Sequence, residues 1–200
     1  MKKHVLAFAL LTALGGMGVS PLMAGEVDPA KVPSIKQSDL KLYLTAKEAY
    51  DMKKANDKVI FIDVRTPEEL QYVGNAGAIL DGNVPYILND LSGYDEKLKH
   101  YKVAPNSDFT TAVEEIVSKK GGNKDSEIIL MCRSGDRSSK GASLLGKAGY
   151  TKVYSVVDGF EGDKVKDGEN KGKRLVNGWK NSDLPWDYKM DKDKMYYILN

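Results

Sequence analysis

Three short apolar runs frame this chain. Val59-Ile60-Phe61-Ile62-Asp63-Val64, Ile128-Ile129-Leu130-Met131 and Val153-Tyr154-Ser155-Val156 are nearly continuous in apolar residues and bounded by polar ones. Runs of this kind predict strands covered on both faces. Between them the period changes to that of a helix. Phe109, Ala112, Val113, Ile116 and Val117 fall at i, i+3, i+4, i+7 and i+8, an apolar stripe that stops at Gly121-Gly122. Two further helices are marked by their starts. Thr45 with Glu48 makes a capping box ahead of Ala46 to Ala55, and Thr66-Pro67-Glu68-Glu69 supplies an N-cap, a proline at the first helical position and the closing acid of a second box. The Gly- and Asn-rich stretch 74–82 predicts a loop leading to a short strand around Val84-Pro85-Tyr86. A small-residue helix runs from Ser138 to Ala148, where Gly149 ends it. Strands alternating with helices predict an α/β domain whose largely parallel sheet is covered by helices.

Composition changes this picture only at the ends. The 200 residues are 42% hydrophobic and 29% charged, which suits one core and a single domain. Lys2 and Lys3, the apolar stretch from Val5 to Leu14 and the small residues up to Ala24 read as a cleavable secretory signal in residues 1–24, so a periplasmic or secreted protein is expected. That apolar stretch is too short to span a bilayer, which takes roughly 20 residues. Residues 25–40 read as a polar linker, 41–188 as the domain and 189–200 as a C-terminal tail. From Gly159 onward loops are expected, with Phe160, Trp179 and Trp186 anchoring them to the core. Residues 1–24 hold two Lys and no acid, which leaves 28 Lys+Arg against 28 Asp+Glu in the rest. Such balanced, interspersed charge is no nucleic-acid footprint, and a monomer is expected.

Candidate chemistry enters at the single cysteine, Cys132. A lone thiol in a disulfide-permissive compartment is either buried and inert or chemically used. Its neighbours favour use. Cys132-Arg133-Ser134-Gly135-Asp136-Arg137 lies between a buried strand and the start of a helix, where backbone N–H groups turn inward and the helix end adds partial positive charge. A thiolate is the sulfur nucleophile, and a free thiol is mostly protonated near neutrality. Inward amides, Arg133 and Arg137 all favour the anion, while Asp136 opposes it. Gly135 permits the positive φ that a tight turn requires. The sulfur is therefore expected ionised and exposed at the mouth of this loop. For Ser134, Ser138 and Ser139, helix capping and substrate binding are both open readings.

Here the residues resemble a known family. Phe61 through Glu69 is similar to the first signature of the rhodaneses, and Cys132 through Arg137 to their active-site loop. Asp158-Gly159-Phe160-Glu161-Gly162 and Gly178 through Trp186 resemble the closing motifs of single-domain exported members, and together the motifs cover residues 42 to 188 in order. The resemblance implies a rhodanese-like three-layer α/β domain with helices on both faces of the sheet. It implies that Cys132 carries sulfur as a persulfide, that Arg133, Ser134, Gly135, Asp136, Arg137 and Ser138 bind substrate around it, and that Asp63 and Arg65 support the loop. For that last pair a structural ion pair and direct substrate contact are both open. Two departures bear on substrate contacts: Asn75 stands where the family often has His, and Asp183 replaces a Gly.

The implied activity is transfer of sulfur from a small anionic donor such as thiosulfate to a thiophile, cyanide or a thiol. Neither metal nor organic cofactor is expected. Beyond residues 1–24 the chain has one His, His100, set in a Lys-rich segment and read as a solvated surface group, which argues against a serine triad or a His-based metal site. A cysteine phosphatase places one more residue between its Cys and Arg than separates Cys132 from Arg137, and Ser138 stands at that next position. The alternative from another class is a non-catalytic binding or sulfur-carrier module on the same fold.

Overall fold

The computed structural model describes residues 27–197. The signal reading falls on residues outside that span. A five-stranded parallel sheet forms the centre, built from β1 (Tyr43–Leu44), β2 (Ile60–Asp63), β3 (Gly82–Asn83), β6 (Ile128–Met131) and β7 (Val153–Val156) in the order β1-β7-β6-β2-β3. The helices are α1 (Ala46–Ala55), α2 (Pro67–Val73), α3 (Phe109–Lys119) and α4 (Asp136–Lys147).

The unbroken apolar runs are explained by the two faces of this sheet. Ile60, Ile62, Ile128, Leu130 and Val153 pack against Phe109, Val113 and Val117 of α3 and Ala142 and Leu145 of α4. Their neighbours Phe61, Ile129, Met131, Tyr154 and Val156 pack on the other face against Ala46 and Ala49 of α1 and against Phe160 and Trp179. Successive strand residues point to opposite sides, so both parities must be apolar. Two residues are exceptions: Ser155, a buried hydroxyl on the face that α4 covers, and Asp63, a buried carboxylate at the end of β2.

Both capping boxes form. Thr45 and Glu48 close one at α1, Thr66 and Glu69 the other at α2, each cap being worth about 1 kcal/mol. Phe160 and Trp179 are fully buried, and Trp179 Nε1 donates to Pro185 O at 2.8 Å, so the late aromatics do anchor the loops.

Several parts differ from the sequence reading, beginning with β1, a two-residue edge strand at Tyr43–Leu44 that the sequence reading left unassigned. The third strand lies at Gly82–Asn83 rather than at 84–86, although Val84 N and Tyr86 N still donate to Asp63 O and Val64 O. Residues 27–40, read as a polar linker, are mostly exposed but tied to the domain: Val32 and Ser38 are buried, and Lys36 Nζ donates to Val157 O at 2.9 Å and pairs with Asp163 at 2.7 Å. An antiparallel ribbon, β4 (Ile87–Asp95) with β5 (His100–Pro105), has no counterpart among the elements read from the sequence. Its largely exposed residues carry no buried face from which alternation could be read.

Among the described residues no helix is long and apolar enough to cross a membrane.

Candidate active site

The middle strand of the sheet, β6, ends at Met131, and Cys132 is the next residue. Beyond the carboxyl ends of parallel strands lies the usual ligand crevice of such sheets. The chain then turns sharply into α4. Gly135 makes that turn with φ +98°, and an added Cβ there would lie 2.3 Å from Val157 O. From underneath, Phe160 N donates to Cys132 O and Glu161 N to Arg133 O, at 2.8 and 3.0 Å. Gly159, at φ +66°, lets this second loop approach so closely, since a Cβ on it would sit 2.5 Å from Ser134 N. With those two carbonyls tied from below, the turn is fixed from outside.

Two groups reach the sulfur. Gly135 N donates to Cys132 Sγ at 3.1 Å and Ser138 Oγ lies 3.5 Å from it. The turn is thus closed around the thiol. The thiol itself is 1% exposed, packed beside Leu130 and Ala142, where the sequence reading expected an exposed sulfur among several amides. The reason is register: Cys132 continues the inward parity of Ile128 and Leu130, so its side chain faces α4.

The other candidates divide by role. Arg133 is exposed and faces the cleft beside the loop; Ser134 is half-buried. Asp136 starts α4 and pairs with Lys140 at 2.9 Å, one turn along the helix. Arg137 is not the free anion-binding cation that the sequence suggests. Its Nη1 and Nη2 donate to the two carboxylate oxygens of Glu69 at 2.6 and 2.7 Å, a bidentate tie between α4 and α2. Burial pushes the Glu69 carboxyl upward, but the hydrogen bonds and charge of Arg137 outweigh it and hold the group below its usual range. Ser138 and Ser139 are both fully buried; Ser139 Oγ bonds back to Asp136 O at 2.8 Å, within the first turn of α4.

Asp63 and Arg65 form a buried ion pair, both 0% exposed, with Arg65 Nη2 2.7 Å from Asp63 Oδ2. Arg65 Nε also donates to Asp63, and Nη2 to Gly74 O at 2.9 Å. The Phe160 ring lies 4.0 Å from its Cζ, a cation–π cover at a desolvated site. Asn83 Nδ2 donates to the Asp63 and Arg65 carbonyls, at 2.9 and 2.8 Å, and fixes this strand end beside Met131. Of the two open readings for this pair, the geometry carries the structural one.

The family departures also have structural causes. Asn75 is buried, with Nδ2 donating to Lys189 O and Oδ1 accepting from Gly77 N, so its amide is spent on loop closure. Asp183 has φ +55°, the left-handed region that explains a Gly at that position elsewhere.

A cleft of about 570 Å³ opens beside the loop. Arg133, Asp136 and Arg137 form one wall, Glu68 and Glu69 another, and His100, Tyr101 and Val103 of the ribbon the third. His100 is thus exposed, as expected, but it faces the site. Sequence reasoning missed this because the ribbon itself left no pattern. It also missed Arg174, which donates to Gly162 O beneath the loop; burial and then the nearby Arg133 charge push its guanidinium downward. No group of side chains among the described residues is arranged to hold a metal ion.

A strand-end cysteine turn on an open parallel sheet defines the class, and comparison with known proteins names the family. The rhodanese-like domain family matches residues 45–166. The uncharacterized protein RP600 homolog of Rickettsia rickettsii is 33% identical over 70% of this chain and 93% of its own length. Thiosulfate sulfurtransferase 16 of Arabidopsis thaliana, a chloroplastic protein, is 38% identical over 56% of this chain and 78% of its own. The crystal structure of Rv0390 from M. tuberculosis superposes with a TM-score of 0.52 at 27% identity, covering 72% of this chain and 96% of that one. This chain belongs to the rhodanese-like domain family.

Proposed function

We propose that the protein is an exported sulfurtransferase in which Cys132 carries sulfur as a persulfide. The observation that supports this most is the closed turn around Cys132 Sγ, with an amide and a hydroxyl aimed at one sulfur at the end of the central strand. In the first step the Cys132 thiolate attacks the outer sulfur of thiosulfate. A new sulfur–sulfur bond forms, the bond to the sulfonate sulfur breaks, and its electron pair leaves with sulfite. The persulfide so formed is anionic at its outer sulfur, while Gly135 N and Ser138 Oγ face the inner one, Cys132 Sγ. Cyanide or a thiolate then attacks that outer sulfur, and the Cys132 thiolate is regenerated. No proton need be moved by a side chain in either step, in keeping with a site that has no histidine on the loop.

Of the loop's two arginines, Arg133 is the one left to draw in an anionic donor, since Arg137 is held by Glu69. Glu68, Glu69 and Asp136 along the cleft set limits on how much negative charge it admits.

Intact mass after incubation with thiosulfate tests the reading. The wild type is expected to gain one sulfur atom and Cys132→Ser none. No adduct with thiosulfate, polysulfide or thiosulfonate donors would shift the reading to a non-catalytic module on this fold.

A further inference from the structure

We propose that Ser155 is a positioning residue for the Cys132 thiolate, acting through Ser138. The inference rests on Cys132 as the nucleophile and adds a residue outside the loop. Ser155 lies on β7, Ser138 in the first turn of α4, and both are fully buried. Ser155 Oγ donates to Ser138 Oγ at 2.9 Å, and Ser138 Oγ lies 3.2 Å from Gly135 O and 3.5 Å from Cys132 Sγ.

The direction of this chain follows from counting hydrogens. Among the described residues Ser138 Oγ is the one hydrogen-bond partner of the Ser155 hydroxyl. Were Ser138 to donate to Ser155 instead, the Ser155 hydrogen would be left unpaired in a dry site, which costs about 1 to 3 kcal/mol. Ser155 therefore donates, and Ser138 keeps its own hydrogen for one of two acceptors, the Gly135 carbonyl or the sulfur. Against a neutral thiol the carbonyl is the better acceptor. Against a thiolate the sulfur is, because hydrogen bonds to ionised acceptors are the stronger ones. The Ser138 hydroxyl is then a rotor that turns to the sulfur as it ionises, and the bond it accepts from Ser155 makes it the better donor.

The position of Ser155 supports a purpose beyond packing. It shares a face with Val153 in a strand that is otherwise apolar, and its neighbours across the sheet are Leu130 and Tyr43. A hydroxyl there is costly unless it is paired, and its partner is the residue beside the sulfur.

The test is the pH midpoint at which the Cys132 thiolate forms, read from its ultraviolet absorbance against Cys132→Ser as blank. The chain has a single Cys, so one thiol is observed. Charged groups near the sulfur, among them Arg137 from α4, Arg174 from the loop below, and Arg133 and Asp136 of the turn itself, are untouched by the substitutions. Ser155→Ala is expected to raise the midpoint by about 0.5 to 1 pH unit, and Ser138→Ala by at least as much. In a Ser138→Ala background, adding Ser155→Ala is expected to change nothing further. An unmoved midpoint in Ser155→Ala, or an equal shift with Ser138 already removed, overturns the relay. The titration needs no sulfur donor. A protein that shows these shifts and yet takes up no sulfur would refute the sulfurtransferase reading and leave the relay standing.

Discussion

Gly135→Ala is expected to abolish sulfur loading and to destabilise the fold by about 2 to 4 kcal/mol. At φ +98° an alanine is strained whatever the space around it, and here there is none: its Cβ would lie 2.3 Å from Val157 O and 2.9 Å from Val157 C. Both of those atoms are backbone, so no side chain can swing away. The turn must open, and the amide that donates to Cys132 Sγ goes with it. Urea unfolding reads the stability and intact mass after thiosulfate reads the loading. An alanine variant that loads sulfur at the wild-type rate would mean that the Gly135 amide does not hold the reacting sulfur.

The second large effect is expected at the strand end beside the loop. Asp63→Asn keeps the shape of the side chain and removes its charge, which leaves the Arg65 guanidinium buried without its counter-ion. Breaking a buried pair from one side costs about 3 to 5 kcal/mol, because the remaining charge stays desolvated. Arg65 has little else to turn to: Nη1 has no hydrogen-bond partner among the described residues, and Nη2 shares the Gly74 carbonyl. The urea midpoint should fall accordingly. If Asp63→Asn unfolds where the wild type does, the ion pair is not what secures the end of β2.

Three strands of the central sheet, β2, β6 and β7, and the helices around it were legible because each left a mark in the sequence, whereas β1, only two residues long, left none. Phe109 to Val117 repeats every three to four residues, Ile60 to Ile62 and Ile128 to Met131 are apolar on both parities, and Thr45/Glu48 and Thr66/Glu69 mark two helix starts. The loop was legible because Cys, Gly and two Arg crowd a strand-to-helix turn. What failed to show were relations between distant residues. Nothing near Arg137 says that Glu69, on another helix, takes both of its terminal nitrogens, Nη1 and Nη2. The ribbon of residues 87–105 is exposed on most of its length, so burial imposed no alternation on it, and the cleft wall it builds from His100 and Tyr101 stayed hidden. Ser155 did leave a mark, a hydroxyl in the middle of a buried run, but its meaning depends on Ser138 lying opposite. The burial of Cys132 also has a local cause that parity could have shown, since it continues the inward positions of Ile128 and Leu130.

The proposed mechanism requires Cys132 to accept sulfur before any acceptor is present. Rapid mixing of the protein with excess thiosulfate, in the absence of cyanide or thiol, measures sulfite released per chain. A burst of one sulfite per chain, absent in Cys132→Ser, is the predicted result. Sulfite that appears only once an acceptor is added, with no burst before it, would contradict a persulfide on this residue.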